Sequence, residues 1–305
     1  MVFGVLEILF GAMCWLMVPM ALMAMAASAH RTGAPATRVV VPGIVVYGLM
    51  GTVFISLGIG SILARRWARA LWVCASGCWL AAGILATPLM VYVALVQMPR
   101  SLDAAGPTTP AVAVYVIQAL TLGMMLLFYL VIPGALFWFY SRPNVKRTCE
   151  VRDLKERWTD RCPLPVLTLS LVSALGGVFM VLVTPFFRAF PFFGVFVTGV
   201  GAVVLMLIYG ALMLAVAWGL YRLRMAAWWA WLATLVLMGI SSAVTLWHTD
   251  LAILYGQMGM QPEVVARASM LGSTATLWGT FCVVPWLAWG LYVRRYLPKA
   301  APDAT

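Results

Sequence analysis

The chain alternates between long, continuously apolar segments and short polar ones. About 20 apolar residues in a helix cross the hydrocarbon of a membrane. Segments of at least that length run approximately over residues 3–28, 39–63, 70–97, 111–140, 164–187, 192–220, 225–247 and 270–293. Because these runs are continuous and do not alternate with polar residues, they predict helices and not barrel strands. The pattern therefore predicts an all-α polytopic membrane protein with eight transmembrane helices.

Composition supports this class. Hydrophobic residues make up 64 % of the chain and charged residues 10 %, against roughly 45–50 % and 25 % in a soluble domain. A water-facing surface would not hide so much apolar side chain. The formal net charge of +11 lies in short loops, where it indicates orientation in the membrane. No nucleic-acid partner is expected.

The longest polar run, residues 141–163, lies near the midpoint and is called the connector below. It holds seven of the 20 Lys and Arg and four of the nine acidic residues. Counted by side of the membrane, Lys and Arg divide 15 to 5 in favour of the side that holds the connector and both termini. Basic loops stay in the cytoplasm. We therefore predict a multi-pass plasma (inner) membrane protein whose termini and connector are cytoplasmic.

The first apolar segment ends on Ala27-Ser28-Ala29, which resembles a signal-peptidase site. However, no basic residue precedes it, Glu7 lies within it, and the apolar run is longer than that of a signal peptide. We predict that it is retained as the first transmembrane helix.

The two halves of the chain resemble each other. Predicted helices one and five match at an offset of 166, through Leu9/Leu175, Gly11/Gly177, Leu16/Leu182 and Pro19/Pro185. Helices two and three match six and seven at an offset of 162, through Tyr47-Gly48/Tyr209-Gly210 and Trp67-Ala68/Trp229-Ala230. Helices four and eight match at 152, through Val131/Val283, Pro133/Pro285, Tyr140/Tyr292 and Arg142/Arg294.

Each repeat has an even number of helices, so the halves share one orientation. This predicts two parallel four-helix repeats related by a pseudo-two-fold axis along the membrane normal. The expected organisation is a first repeat at 1–140, the connector at 141–163, a second repeat at 164–296 and a short cytoplasmic tail at 297–305. Pro133 and Pro285 predict matched kinks. These are interpreted chiefly as shape for packing, with a hinge as the alternative.

Ionisable residues inside the predicted spans are few. Glu7 lies near the start of the first helix, where the helix dipole stabilises an anion; a proton or cation site is the alternative. Its counterpart in the repeat is Ser173, so no symmetric carboxylate pair is expected. His30 and His248 fall at helix ends and are interpreted as interfacial, since a haem protein would place histidines within several spans.

Sulfur-containing side chains offer a second set of candidates. Met13, Met17 and Met20 share a helix face near Cys14, and thioether and thiol groups are ligands of Cu(I). Methionine is also an ordinary packing residue, which is the preferred interpretation. Cys74 and Cys78, and the connector's Cys149 and Cys162, are incomplete metal sites. No cofactor is expected.

The connector segment VRDLKERW, residues 151–158, predicts a short amphipathic helix. Five residues are candidates for docking anionic lipid headgroups or a protein: Arg147, Arg152, Arg157, Trp158 and Arg161. A solvated linker held by internal salt bridges is the preferred interpretation of the connector, and docking is the alternative.

The sequence contains no nucleotide-binding glycine pattern, hydrolase elbow or zincin motif. It favours a non-enzymatic accessory or scaffold subunit, or a binder of lipid-like molecules. The alternative is a small-molecule transporter that works between the repeats, and the third class is a metal- or haem-handling membrane enzyme. Expected partners are membrane lipids and a protein at the connector.

Overall fold

The computed structural model describes residues 2–32, 37–92, 95, 111–248 and 283–297. The helices are α1 (Val2–Thr32), α2 (Thr37–Ile62), α3 (Arg66–Tyr92), α4 (Ala111–Leu126), α5 (Ile132–Ser141), α6 (Pro143–Arg152), α7 (Leu164–Val183), α8 (Gly199–Tyr221), α9 (Met225–His248) and α10 (283–293).

Seven described segments are long and apolar enough to cross a membrane. They are Val2–Ala27, Val40–Ile62, Arg66–Tyr92, Tyr115–Ser141, Leu164–Val183, Gly199–Tyr221 and Met225–His248. The prediction of an all-α membrane protein is thereby confirmed. Of the eighth predicted span, residues 270–282 lie outside the described residues, and α10 is its end.

A helical irregularity precedes Pro133. A π-helical turn at Leu127–Val131 separates α4 from α5 within one span. Proline has no N–H to offer the carbonyl four residues back, which here belongs to Tyr129. The α3 residue Gly83 lies against this carbonyl so closely that a Cβ on Gly83 would overlap its oxygen. The π-helical turn before Pro133 therefore packs against α3 at a residue, Gly83, that has no side chain.

A β-hairpin begins in the predicted gap after residue 187 and continues into the stretch from residue 192 that the apolar pattern assigned to a helix. Strands β1 (Ala189–Phe192) and β2 (Val195–Thr198) pair antiparallel, so the prediction of a helix from residue 192 is wrong there. Phe193 and Gly194 form the tip with φ of 40° and 99°, the positive values that a tight two-residue hairpin needs. The sequence signals were Pro191 and Gly194 inside an apolar run.

Hydroxyl groups of α9 satisfy the backbone of this hairpin. Phe193 N–H donates to Ser241 Oγ and Gly194 N–H to Thr245 Oγ1, both at 3.0 Å, and Ser241 Oγ donates to the Pro191 carbonyl at 3.0 Å. A backbone N–H or carbonyl that is shielded from water needs such a partner within the protein. Below the tip, Phe190 packs in a core with Ala202 and Met206.

Glycines set the closest helix contacts. A Cβ on Gly177 of α7 would lie 2.8 Å from the Gly210 carbonyl oxygen of α8, and one on Gly210 would lie 3.0 Å from the Gly177 oxygen. Helices α1 and α2 cross in the same way. A Cβ on Gly11 would lie 2.8 Å from the Gly51 carbonyl oxygen, and one on Gly51 would lie 2.9 Å from the Gly11 oxygen. Small residues allow helix backbones to touch in membranes.

Two helix ends share one geometry. After α2, Ala64 has φ 50°. Its N–H donates to the Ser61 backbone carbonyl, and the Arg65 N–H donates to the Gly60 backbone carbonyl. After α8, Leu223 has φ 57°, its N–H donates to Leu220 and the Arg224 N–H donates to Gly219. This is the Schellman pattern, with a side chain where glycine is usual.

The connector differs from its prediction. Its helix is α6, at Pro143–Arg152, and residues 153–157 are irregular before a 3-10 turn at Trp158–Arg161. The helix predicted at 151–158 is therefore wrong. Pro143 starts α6 because its fixed φ and missing N–H suit the first turn, and Lys146 with Glu150, 3.8 Å apart, supports it.

The described chain divides into two compact units, one made of residues 1–6 and 56–161 and the other of residues 7–55 and 162–305. The first contains α3 to α6, and the second contains α7 to α10 with most of α1 and α2. The predicted domain boundaries stay a prediction.

Gly177→Ala is expected to destabilise the protein, because the new methyl group would press on the Gly210 carbonyl and force α7 and α8 apart. Overpacking of this kind costs about 1–3 kcal/mol. Thermal unfolding in detergent measures the effect. Gly176→Ala is the matched control, since a Cβ there meets nothing within 4 Å. Equal melting temperatures for the two variants would contradict the crossing described here.

Candidate functional site

The densest group of charged side chains lies where the connector meets the start of α3. One side of it is the sequence Arg65-Arg66-Trp67-Ala68-Arg69, at the turn after α2. The other side comes from the connector. We call this group the arginine–aspartate clamp: Arg65, Arg66, Arg69, Glu150, Asp153, Arg157 and Asp160.

Asp153 is the centre of the clamp, and its side chain is only 2 % exposed. Arg157 binds it with two nitrogens, Nη2 at 3.1 Å and Nε at 3.2 Å. Arg65 Nη1 lies 3.6 Å from the same carboxylate, and the Arg66 backbone N–H donates to it at 3.4 Å. The carboxylate therefore binds the N-terminus of α3, where helix N–H groups have no partner within the helix.

These contacts stabilise the charged carboxylate. The hydrogen bonds from Arg157 chiefly, with the Arg66 N–H and the charges of Arg157 and Arg65, lower the pKa of Asp153 below its ordinary value, against the opposing effect of burial. Forked arginine–carboxylate pairs are among the stronger hydrogen bonds in proteins.

The other arginines fasten neighbouring segments. Arg66 Nη2 donates to the Glu150 carbonyl at 3.2 Å, and its Nη1 lies 4.0 Å from Asp160 Oδ2. Arg69 Nε donates to the Tyr140 carbonyl, at the end of α5, at 3.0 Å. The clamp thus ties α3 to the end of α5, to α6 and to the 3-10 turn.

Tyr140 extends this network into the helices. Its hydroxyl donates to Ser61 Oγ at 2.9 Å, and its ring stacks on Trp72 with centroids 6.0 Å apart and planes at 8°. Both rings are buried. The clamp therefore rests on a packed aromatic pair.

Cys149 lies beside the clamp and is buried. Burial raises the pKa of its thiol, and the nearby charge of Arg69 only partly opposes this. A thiol is nucleophilic as the thiolate, so Cys149 is suited to packing and not to covalent chemistry. No disulfide forms between Cys14, Cys74, Cys78, Cys149 and Cys162, the cysteines that lie in the described ranges.

The predicted docking residues divide into two groups. Arg147, Arg152, Trp158 and Arg161 are exposed on the connector. Arg157 is committed to Asp153 within the clamp. The residues that sequence reasoning missed are Arg65, Arg66, Arg69, Asp153 and Asp160. Their signal was a basic run at one predicted loop and acids in another, but the pairing itself depends on the tertiary fold.

The structure places Glu7 on the buried stripe of α1. Gly4, Glu7, Gly11 and Cys14 recur at helical spacing and are all buried, Glu7 to 4 % exposure. The function predicted for Glu7 stays a prediction.

The remaining candidates lie on four helices. His30 is in the last turn of α1, and His248 ends α9, exposed, with Nδ1 2.9 Å from the Val244 carbonyl. Met13 and Met20 are exposed side chains of α1. Pro133 is fully buried at the start of α5, and Pro285 lies in α10. Within the described residues, no group of three His, Cys, Asp or Glu is positioned to hold a metal ion.

Fold and site together define an all-α integral membrane protein with a salt-bridged connector. Comparison with protein-family models, with curated proteins and with solved structures finds no match.

Asp153→Asn is expected to loosen the connector, because Arg157 and Arg65 lose their anion while remaining partly solvated. Hydrogen bonds between charged groups contribute about 1.5–3 kcal/mol. Amide hydrogen exchange over residues 143–161 measures the loss and should become faster. The exposed Glu156→Gln removes the same charge outside the clamp and should leave exchange unchanged; equal effects of both variants would refute a central role for Asp153.

The clamp should also be sensitive to acid. Since the pKa of Asp153 is lowered, its contribution is fully present above the ordinary value of 3.8 and is lost as the pH falls through the lower value of the folded protein. The ratio of the exchange rates of Asp153→Asn and wild type over residues 143–161 should therefore stay constant from neutral pH down to about 5. In stronger acid this ratio should approach one. A difference that instead shrinks between pH 8 and 6 would assign the effect to another group.

Proposed function

We propose that this protein is a non-enzymatic component of the inner membrane, an accessory or scaffold subunit or a binder of lipid-like molecules. The observation that carries the proposal is that these polar groups bind other segments of the same chain. The arginine–aspartate clamp fastens segments of the chain to each other, and Ser241 and Thr245 satisfy the hairpin backbone. These groups serve architecture, while wide helix faces remain apolar and exposed.

We propose that the connector and both termini are cytoplasmic. Contacts within each compact unit support this, because in each unit they bring two basic segments to the same side of the membrane. Arg65 and Arg66 bind the connector, so the loop after α2 lies on the connector's side. In the other unit, Arg294, which directly follows α10, lies over the rings of Trp228 and Trp229 at the start of α9, beside the basic turn after α8. The positive-inside bias then assigns these loops to the cytoplasm.

We also propose that the chain is an internal duplication, with a register that differs from the sequence-based one in helices two and three. The glycine crossings at Gly11/Gly51 and Gly177/Gly210, and the two matching helix ends, support an offset of 159 in place of 162. That offset pairs identical residues: Gly51/Gly210, Gly60/Gly219, Arg65/Arg224, Ala68/Ala227 and Trp72/Trp231. A Cβ on Gly48, the earlier partner of Gly210, meets nothing within 4 Å.

A transporter is the second candidate, and the π-helical turn before Pro133 favours it. Such turns are frequent at functional sites, and a helix with an interrupted hydrogen-bond ladder bends there most easily. Pro285 occupies the matching position in the proposed second repeat. The shape-complementary contact of Gly83 with the kink favours a fixed bend. A metal- or haem-handling enzyme stays the third class.

Two measurements separate these classes. Extraction in mild detergent, gel filtration and mass spectrometry should find a lipid-like molecule or a protein subunit retained in stoichiometric amount. In sealed vesicles, cysteines placed one at a time at Leu136 and Phe137, beyond Pro133, should resist a water-soluble maleimide added from either side. Purification of the protein with no lipid-like molecule or subunit bound would contradict the binding proposal. A maleimide label that reaches these cysteines from one side without a solute and from the other side with it would favour the transporter.

A further inference from the structure

The outward side of the connector combines basic and apolar side chains. Arg147, Arg152, Lys155 and Arg161 are exposed there. Val151 and Leu154 are 74 % and 84 % exposed, and Trp158 is 44 % exposed. We call these seven residues the connector face. Basic residues beside large apolar ones are typical of segments that lie in a membrane interface.

The clamp fixes this face at the level where spans end. Asp153 accepts the backbone N–H of Arg66, the first residue of the span Arg66–Tyr92. Arg152 and Leu154 are the immediate neighbours of Asp153 in the chain. Because consecutive Cα atoms are about 3.8 Å apart, both residues lie at the same level as Asp153. Arg69 also holds the end of the span Tyr115–Ser141. Where these two spans cross a membrane, the connector face therefore lies beside the headgroups.

Its charge is uncompensated. The clamp engages Asp153 and Asp160, and Lys146 pairs with Glu150. In the part of the chain that the structure describes, none of the face's four basic residues has an ion pair. Among the exposed acids of this segment, Asp160 is engaged by Arg66, and Glu156 has no ion pair in the described residues. The local balance favours an anionic surface as the partner.

We infer that the connector face binds anionic phospholipid headgroups of the membrane that the helices cross. The basic side chains meet lipid phosphates, while Val151, Leu154 and Trp158 enter the boundary between headgroups and acyl chains. This rests on the proposed function only in requiring an integral membrane protein. An anionic lipid surface strengthens binding roughly fivefold for each Lys or Arg that lies close to it.

Hydrogen exchange over residues 147–161 tests this in nanodiscs of phosphatidylcholine with and without about 30 % phosphatidylglycerol, a negatively charged lipid surface. Exchange should be at least about fivefold slower with the anionic lipid, and this protection should disappear in about 1 M salt, which screens charge within a few ångströms. Arg152→Gln/Lys155→Gln should lose most of the protection. Leu154→Asn, which keeps every charge, should lose part of it.

The matched control is Arg222→Gln/Arg224→Gln, which removes two exposed charges from the turn after α8 and should keep the protection. Equal exchange in both lipid compositions would overturn the inference. So would protection found in native membranes but in neither nanodisc, because the face would then bind a protein. Failure of the chain to enter nanodiscs at all would instead count against an integral membrane protein.

Discussion

A backbone group that is shielded from water must find its hydrogen-bond partner inside the protein, and the irregular parts of this fold follow from that constraint. The hairpin tip at Phe193 and Gly194 is possible because Ser241 and Thr245 stand beneath it. The helix ends after α2 and α8 fold their last N–H groups back onto carbonyls of the preceding turn. Pro133 has no N–H for the carbonyl of Tyr129 four residues back; a π-helical turn precedes the proline, and the bare backbone of Gly83 lies against that carbonyl.

Packing between helices obeys a related limit. Lipid tails are as apolar as leucine, so burying apolar surface gives helices little reason to associate. Close van der Waals contact must do so instead, and it depends on glycine. Gly11 with Gly51, and Gly177 with Gly210, bring backbones together at distances that no side chain tolerates. The charged clamp adds directional bonds at the helix ends, where arginine and aspartate lie nearer to water.

The sequence was sufficient for the class of fold and for the approximate position of the seven described spans, because continuous apolar runs are unmistakable at this length. It was insufficient for the hairpin, since AFPFFGVFVT is as apolar as a helix and only Pro191 and Gly194 interrupt it. The connector helix was displaced because the charge pattern at 151–158 resembled an amphipathic helix, whereas Pro143 sets the actual start. The clamp was not foreseen as a unit, because Arg66 and Asp153 are 87 residues apart.

That separation has a consequence for how the chain is made. Ribosomes add about 5–20 residues per second, so Arg65 and Arg66 emerge several seconds before Asp153 exists. In the proposed orientation, the arginines act on the membrane during this interval by their charge alone, which resists translocation of the loop. When the connector follows, the same guanidinium groups become the donors that close the first unit. In that orientation, one short basic turn serves first as a topogenic signal for the nascent chain and then as a latch of the finished protein.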